Sequence, residues 1–153
     1  FSDNDIIISI DADEILYGEQ LPYIIEQVSK QGAVRLKLRQ FFYKKTYLWE
    51  GRDFVSPVAT YYGVMNPKFP NNWRDIGNVT EEYVGCHFSW CLGIEAMIHK
   101  LDTYSHPRYR FCADRDLLEN SVANKTYSFD DNVSFDIREL PADDSLIPKS
   151  MRS

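Results

Sequence analysis

The chain of 153 residues has no apolar run long enough to span a bilayer. Nothing at its start has the pattern of a secretory signal peptide, an absence that a processed or shortened chain would share. It has no repeat, low-complexity stretch or clear linker, so nothing divides it into more than one unit. Cysteine is scarce and odd in number, at Cys86, Cys91 and Cys112. That spacing fits neither a disulfide framework nor a zinc knuckle. A Cys86–Cys91 bridge across a strand end is one option, and buried thiols are the simpler one. Positive charge is also short, with 17 Lys and Arg against 23 Asp and Glu. The formal net charge of −6 argues against nucleic acid or an anionic membrane surface as a partner.

Apolar and aromatic residues, by contrast, are plentiful. Hydrophobic residues make up 44% of the chain, enough for the core of one domain. The aromatic fraction is high, with 10 Tyr, 9 Phe and 3 Trp; such rings are common in cores and also serve as platforms for sugars and other amphipathic ligands. Three N-glycosylation sequons, at Asn78, Asn124 and Asn132, matter only if the chain enters a secretory lumen.

Ile6 to Ile10 is a short continuous apolar run, which predicts a strand buried on both faces of an α/β sheet. Leu21, Ile24, Ile25 and Val28 recur at helical spacing, so residues 18–31 read as a helix with Pro22 in its first turn and Gly32 as its stop. Residues 33–43 alternate Val34, Leu36 and Leu38 with Arg35, Lys37 and Arg39, a half-exposed strand whose basic face is most simply solvated. Residues 58–64 and 84–90 read as further strands, and 66–77 as a loop. Ile94, Met97, Ile98 and Leu101 predict a helix ending near His106-Pro107, and 113–123 a last helix. After Asp130 the chain is polar and irregular until "LPADDSLIP". The sum is an α/β or α+β domain with a mixed sheet flanked by helices.

The first strand runs into Asp11-Ala12-Asp13-Glu14, three acids in four positions. Carboxylates this close repel one another and resist losing their water, so something positive belongs there. The plain alternative is an acidic loop in which Asp11 or Asp13 caps the next helix. An EF-hand loop is excluded, because its further oxygens and central Gly are missing. A phosphatase of the haloacid dehalogenase type also places Asp-x-Asp after a first buried strand. Asp11 would then be its nucleophile, and Asp130-Asp131 could supply later magnesium ligands. The remaining reading is the Asp-x-Asp of a nucleotide-sugar glycosyltransferase. Carboxylates at i and i+2 on a strand exit can converge on one hard cation, which neutralises charge on a leaving diphosphate.

The segment "GCHFSWCLGIEAMIHKLDTYSH", residues 85–106, separates these readings. It resembles the Gly-x-His-(Phe/Cys)-Ser-(Trp/Tyr) stretch, Gly/Pro-x-Glu helix start and Lys-(Leu/Ile) of glycosyltransferase family 17. That family includes the β-1,4-N-acetylglucosaminyltransferase that adds the bisecting residue to N-glycans. "IIISIDADEI" looks like the family's metal-binding strand, "GAVRLKLRQFFYKK" its following strand, and "RDLLEN" and "LPADDSLIP" its closing segments. The resemblance keeps the same order over most of the chain and is looser between residues 50 and 80. It implies a GT-A-like fold whose N-terminal nucleotide-binding portion is absent here, so that residues 1–153 form the C-terminal part of a larger catalytic domain.

By resemblance, Asp11 and Asp13 hold Mn²⁺ or Mg²⁺, with Asp13 the direct ligand and Asp11 reaching ribose or a metal-bound water. Glu14 fits better as a supporting or capping carboxylate than as a ligand. Glu95, aligned with the family's Glu at a helix start, is the implied catalytic base, although a helix N-terminus favours a carboxylate for structural reasons too. Asp114 and Asp116 stand in reserve. His87, Trp90, His106 and Arg115 are candidates for donor or substrate binding. Each has an ordinary alternative: a satisfied strand histidine, a buried Trp, a post-helix histidine, an intrahelical ion pair. The implied reaction is inverting transfer of a sugar, N-acetylglucosamine from its uridine diphosphate donor, to a glycan or glycoprotein hydroxyl. A phosphatase using Asp11 and a non-catalytic glycan-binding domain remain as alternatives. A Golgi lumen fits a eukaryotic origin and a cytoplasm a microbial one.

Overall fold

Strand β3 (Ala33–Phe42) organises the molecule. Its apolar positions Val34, Leu36 and Leu38 are fully buried, and each of its edges is occupied by other strands. In the computed structural model, which describes residues 1–64, 75–103, 107–130 and 132–152, one edge pairs in parallel with β6 (Asn78–Ser89). The other edge is shared. Its first residues pair antiparallel with β5 (Val58–Tyr61), its last with β4 (Tyr47–Phe54). β1 (Ile6–Ser9) lies outside β5, β2 (Glu14–Leu16) outside β6, and β7 (Ile137–Glu139) outside β4, all antiparallel. The result is a mixed α/β domain built on a mostly antiparallel seven-stranded sheet with three α-helices among the described residues.

Helix α1 (Leu21–Gln31) follows a short 3-10 turn at Gly18–Gln20, carries Pro22 in its first turn and stops at Gly32, whose φ of 78° suits glycine. It lays Ile24 and Val28 on Val34, Leu36, Leu38, Ala59 and Val84. Helices α2 (Ile94–Thr103) and α3 (Arg115–Asn124) close a second, aromatic core around Phe42, Tyr43, Trp49, Trp90 and Phe129. Phe42 alone meets Tyr43, Trp49, Tyr127, Phe129 and Phe135 ring to ring. Much of the aromatic excess is therefore packing.

Four sequence expectations need correction. β1 is an edge strand paired only with β5 among the described strands, and its four residues are each half-buried, not buried on both faces. Residues 47–54 form a full strand and 137–139 a short one, where the polar sequence gave no alternation strong enough to see. The 84–90 strand extends back to Asn78. The basic face of β3 is not simply solvated: Lys37 and Arg39 lie 4.5 Å and 4.1 Å from the Tyr83 ring centre, and Lys37 pairs with Asp53 at 3.3 Å. The expected loop at 66–77 falls outside the described residues over 65–74. All three cysteines are free thiols, and burial pushes each of them up from the usual range.

Candidate functional site

Strand alternation places Gln40 and Phe42 of β3 beside His87 and Ser89 of β6 on one face, toward the C-terminal ends of this parallel pair. A cleft of about 810 Å³ opens over these positions. β1 and β2 are not neighbours in the sheet, so residues 10–13 must cross from one flank to the other. The crossing delivers Asp11 and Asp13 to the cleft wall.

Hydrogen bonds fix this crossing. The Phe88 amide donates to the Asp13 carbonyl at 2.8 Å, and the Glu14 amide to the Asp11 carbonyl at 3.1 Å. Glu14, buried opposite His87, accepts from the Asp11 amide through Oε2 at 2.7 Å. Its other oxygen, Oε1, is buried without a partner, and burial raises the pKa of this carboxyl. Glu14 thus ties the acidic turn together through its bond to the Asp11 amide. Neither Asp11 nor Asp13 caps α1, which has no side-chain cap.

Positive charge does stand beside the acids, and it comes from the protein. The Asp13 carboxylate is 3.6 Å from His87 Nε2 and 3.4 Å from Lys100 Nζ. His87 first, and then Lys100, hold its carboxyl at about 2 against burial that opposes ionisation. His87 stacks on Phe54 with ring centres 3.7 Å apart, and its buried Nδ1 has no partner. Lys100, from α2, also lies 4.7 Å from the ring centre of Trp90. Trp90 is buried yet lines the cleft, held at a φ of 59° where β6 ends. Tyr109, Tyr127 and Phe129 extend the aromatic wall, and Arg35 and Arg52 add cations.

Asp11, Asp13, His87 and Trp90 are thus brought together as the sequence led us to expect. Glu95 and Arg115 are not among the cleft residues. They pair with each other between α2 and α3, and Arg115 also reaches Glu119 at 3.3 Å within its own helix. The Glu95 side chain is 76% exposed in that pair. Asp114 caps α3 by accepting from the Leu117 amide at 2.8 Å, and Asp116 lies in that helix's first turn. His106 and Asp131 lie outside the described residues. Lys100 stands inside the segment 85–106, but nothing in the sequence singles it out among 17 Lys and Arg as the partner of Asp13. Asp75, an exposed carboxylate of the cleft, and the side chains of Arg52 and Tyr127 had no sequence signal at all.

Among the described residues no three His, Cys, Asp or Glu side chains form a ready cage for a metal. Asp11 and Asp13 do supply the hard oxygen donors that Mg²⁺ or Mn²⁺ takes. A site of one or two carboxylates completed by substrate phosphates and water is the usual arrangement for Mg²⁺. The residues fit a metal arriving with a phosphorylated substrate better than one held permanently. Comparison with protein-family models, curated proteins and solved structures finds no match for the chain.

Proposed function

We propose that this domain belongs to an inverting, metal-dependent glycosyltransferase of GT-A type, similar to family 17. It would move N-acetylglucosamine from its uridine diphosphate donor to a glycan hydroxyl. The observation that carries the proposal is the convergence of Asp11, Asp13, Lys100 and an aromatic wall on one cleft at the carboxyl ends of β3 and β6. Sugars stack on aromatic faces, while carboxylates with a metal, and cations beside them, suit a diphosphate.

Bound Mn²⁺ or Mg²⁺ supplies neutralisation of the negative charge left on the departing diphosphate. Asp11 and Asp13 would hold it. Lys100, released from Asp13, would turn its ammonium to the donor phosphates, and Arg52 and Arg35 lie on the same cleft. The acceptor oxygen forms its bond to the anomeric carbon as the bond from that carbon to the diphosphate breaks, the electron pair leaving with the diphosphate. A carboxylate takes the hydroxyl proton. Glu95 is badly placed for this, being tied to Arg115 away from the cleft. Asp53 accepts from Tyr83 at 2.5 Å and pairs with Lys37, which engages its carboxylate. Asp75 is the better candidate.

Calorimetric titration of uridine diphosphate and its N-acetylglucosamine conjugate, with and without Mn²⁺, tests the proposal. Metal-dependent binding that disappears in Asp13→Ala is expected. A folded chain, with any upstream residues its gene encodes, that binds neither nucleotide would refute it. Metal-independent binding of a glycan alone would favour a non-catalytic glycan-binding domain.

A further inference from the structure

A second cavity, of about 490 Å³, shares no lining residue with the cleft and lies within the range of small-molecule sites. Arg39 forms the floor, and Lys149 and Arg152 reach in from the C-terminal segment. None of the three cations forms an ion pair among the described residues. The Arg152 guanidinium donates only to the neutral carbonyls of Ile147 and Ser145, at 2.8 Å and 2.9 Å. The Arg39 guanidinium lies against the Tyr83 ring, and its Nε–H is buried with no acceptor. Glu19 and Glu82 also line the cavity, but both are exposed at its rim.

Arg39, Lys149 and Arg152 outnumber Glu19 and Glu82 around this cavity, in a chain of net charge −6, and none of the three cations is ion-paired among the described residues. Guanidinium forks match the geometry of phosphate oxygens, and two of the three cations are arginines. We infer that this cavity is a second ligand site, distinct from the cleft, for a small molecule bearing a phosphate group.

The test is calorimetric titration of the chain with inorganic phosphate in the absence of divalent metal. One site is expected, weakened about tenfold or more by Arg39→Gln and by Arg152→Gln, and unaffected by Lys100→Gln in the cleft. If Arg39→Gln does not fold, as circular dichroism would show, Arg152→Gln at the cavity edge decides the matter. Absence of binding by the unaltered chain, or binding by both arginine variants as tight as that of the unaltered chain, overturns the inference. So does a loss that follows Lys100→Gln, which would assign the phosphate to the cleft. Citrate displacing phosphate at lower concentration would overturn phosphate as the ligand class.

Discussion

Asp13 is pulled in two directions. Burial resists its charge, while the His87 contact and then the Lys100 ammonium favour it, and the favourable contacts win: the carboxyl ionises at about 2 instead of 3.8. A folded-state pKa below the unfolded value stabilises the fold fully above 3.8, and this contribution is lost as pH falls toward 2. Because the side chain is about one-third exposed, solvent screening reduces the contribution to about 1 kcal/mol. Asp13→Asn is therefore expected to be about 1 kcal/mol less stable at neutral pH. Its urea midpoint should also change less than that of the unaltered chain between pH 3.8 and about 2. A second prediction concerns the proton acceptor. With Asp75 as base, Asp75→Asn lowers kcat about 100-fold in a transfer assay, while Glu95→Gln leaves it nearly unchanged. The reverse result would return the role to Glu95.

Among the elements, β2 has an influence beyond its three residues. It pairs with β6 through Glu14–His87, Ile15–Cys86 and Leu16–Gly85, and so anchors the crossing that bears Asp11 and Asp13. Gly85 permits this close approach, since a Cβ there would sit 2.2 Å from the Ile15 carbonyl oxygen. Gly85→Ala should cost about 3 kcal/mol in chemical denaturation by forcing the two backbones apart. It should also weaken metal-dependent nucleotide binding without touching a binding residue. Retained stability together with retained binding would mean that β2 does not set the crossing.

Across the whole molecule, β3 links the separate packing regions. Val34, Leu36 and Leu38 belong to the core under α1, Phe42 to the aromatic core, and Phe41 to a third cluster with Phe88, Leu140 and Ile147. A strand common to all three couples their unfolding, which predicts one cooperative transition. Tryptophan fluorescence, with Trp49 and Trp90 inside the aromatic core, should coincide with far-ultraviolet circular dichroism along a urea titration. Ile24→Ala, in the α1 core and not in the aromatic core that holds Trp49 and Trp90, should shift both curves together by about 2–5 kcal/mol. Separate curves would show that the cores unfold independently.

What the sequence determined alone is what short-range periodicity and steric limits carry. The 3.6-residue spacing of Leu21, Ile24, Ile25 and Val28, closed by Gly32, is α1. The alternation along Val34, Leu36 and Leu38 is β3, and the acids at 11 and 13 mark one wall of the cleft. The tertiary structure decided what depends on which strands become neighbours. Nothing local says that β3 pairs with β4, β5 and β6, that β1 ends at an edge, or that Lys100, distant in sequence, becomes a counter-ion of Asp13. Nor does Glu95's helix-start context show that it turns to Arg115 and not to the cleft. Side-chain direction in a helix or strand follows from local geometry, but what it faces is set by long-range packing, whose gain is summed over the whole core.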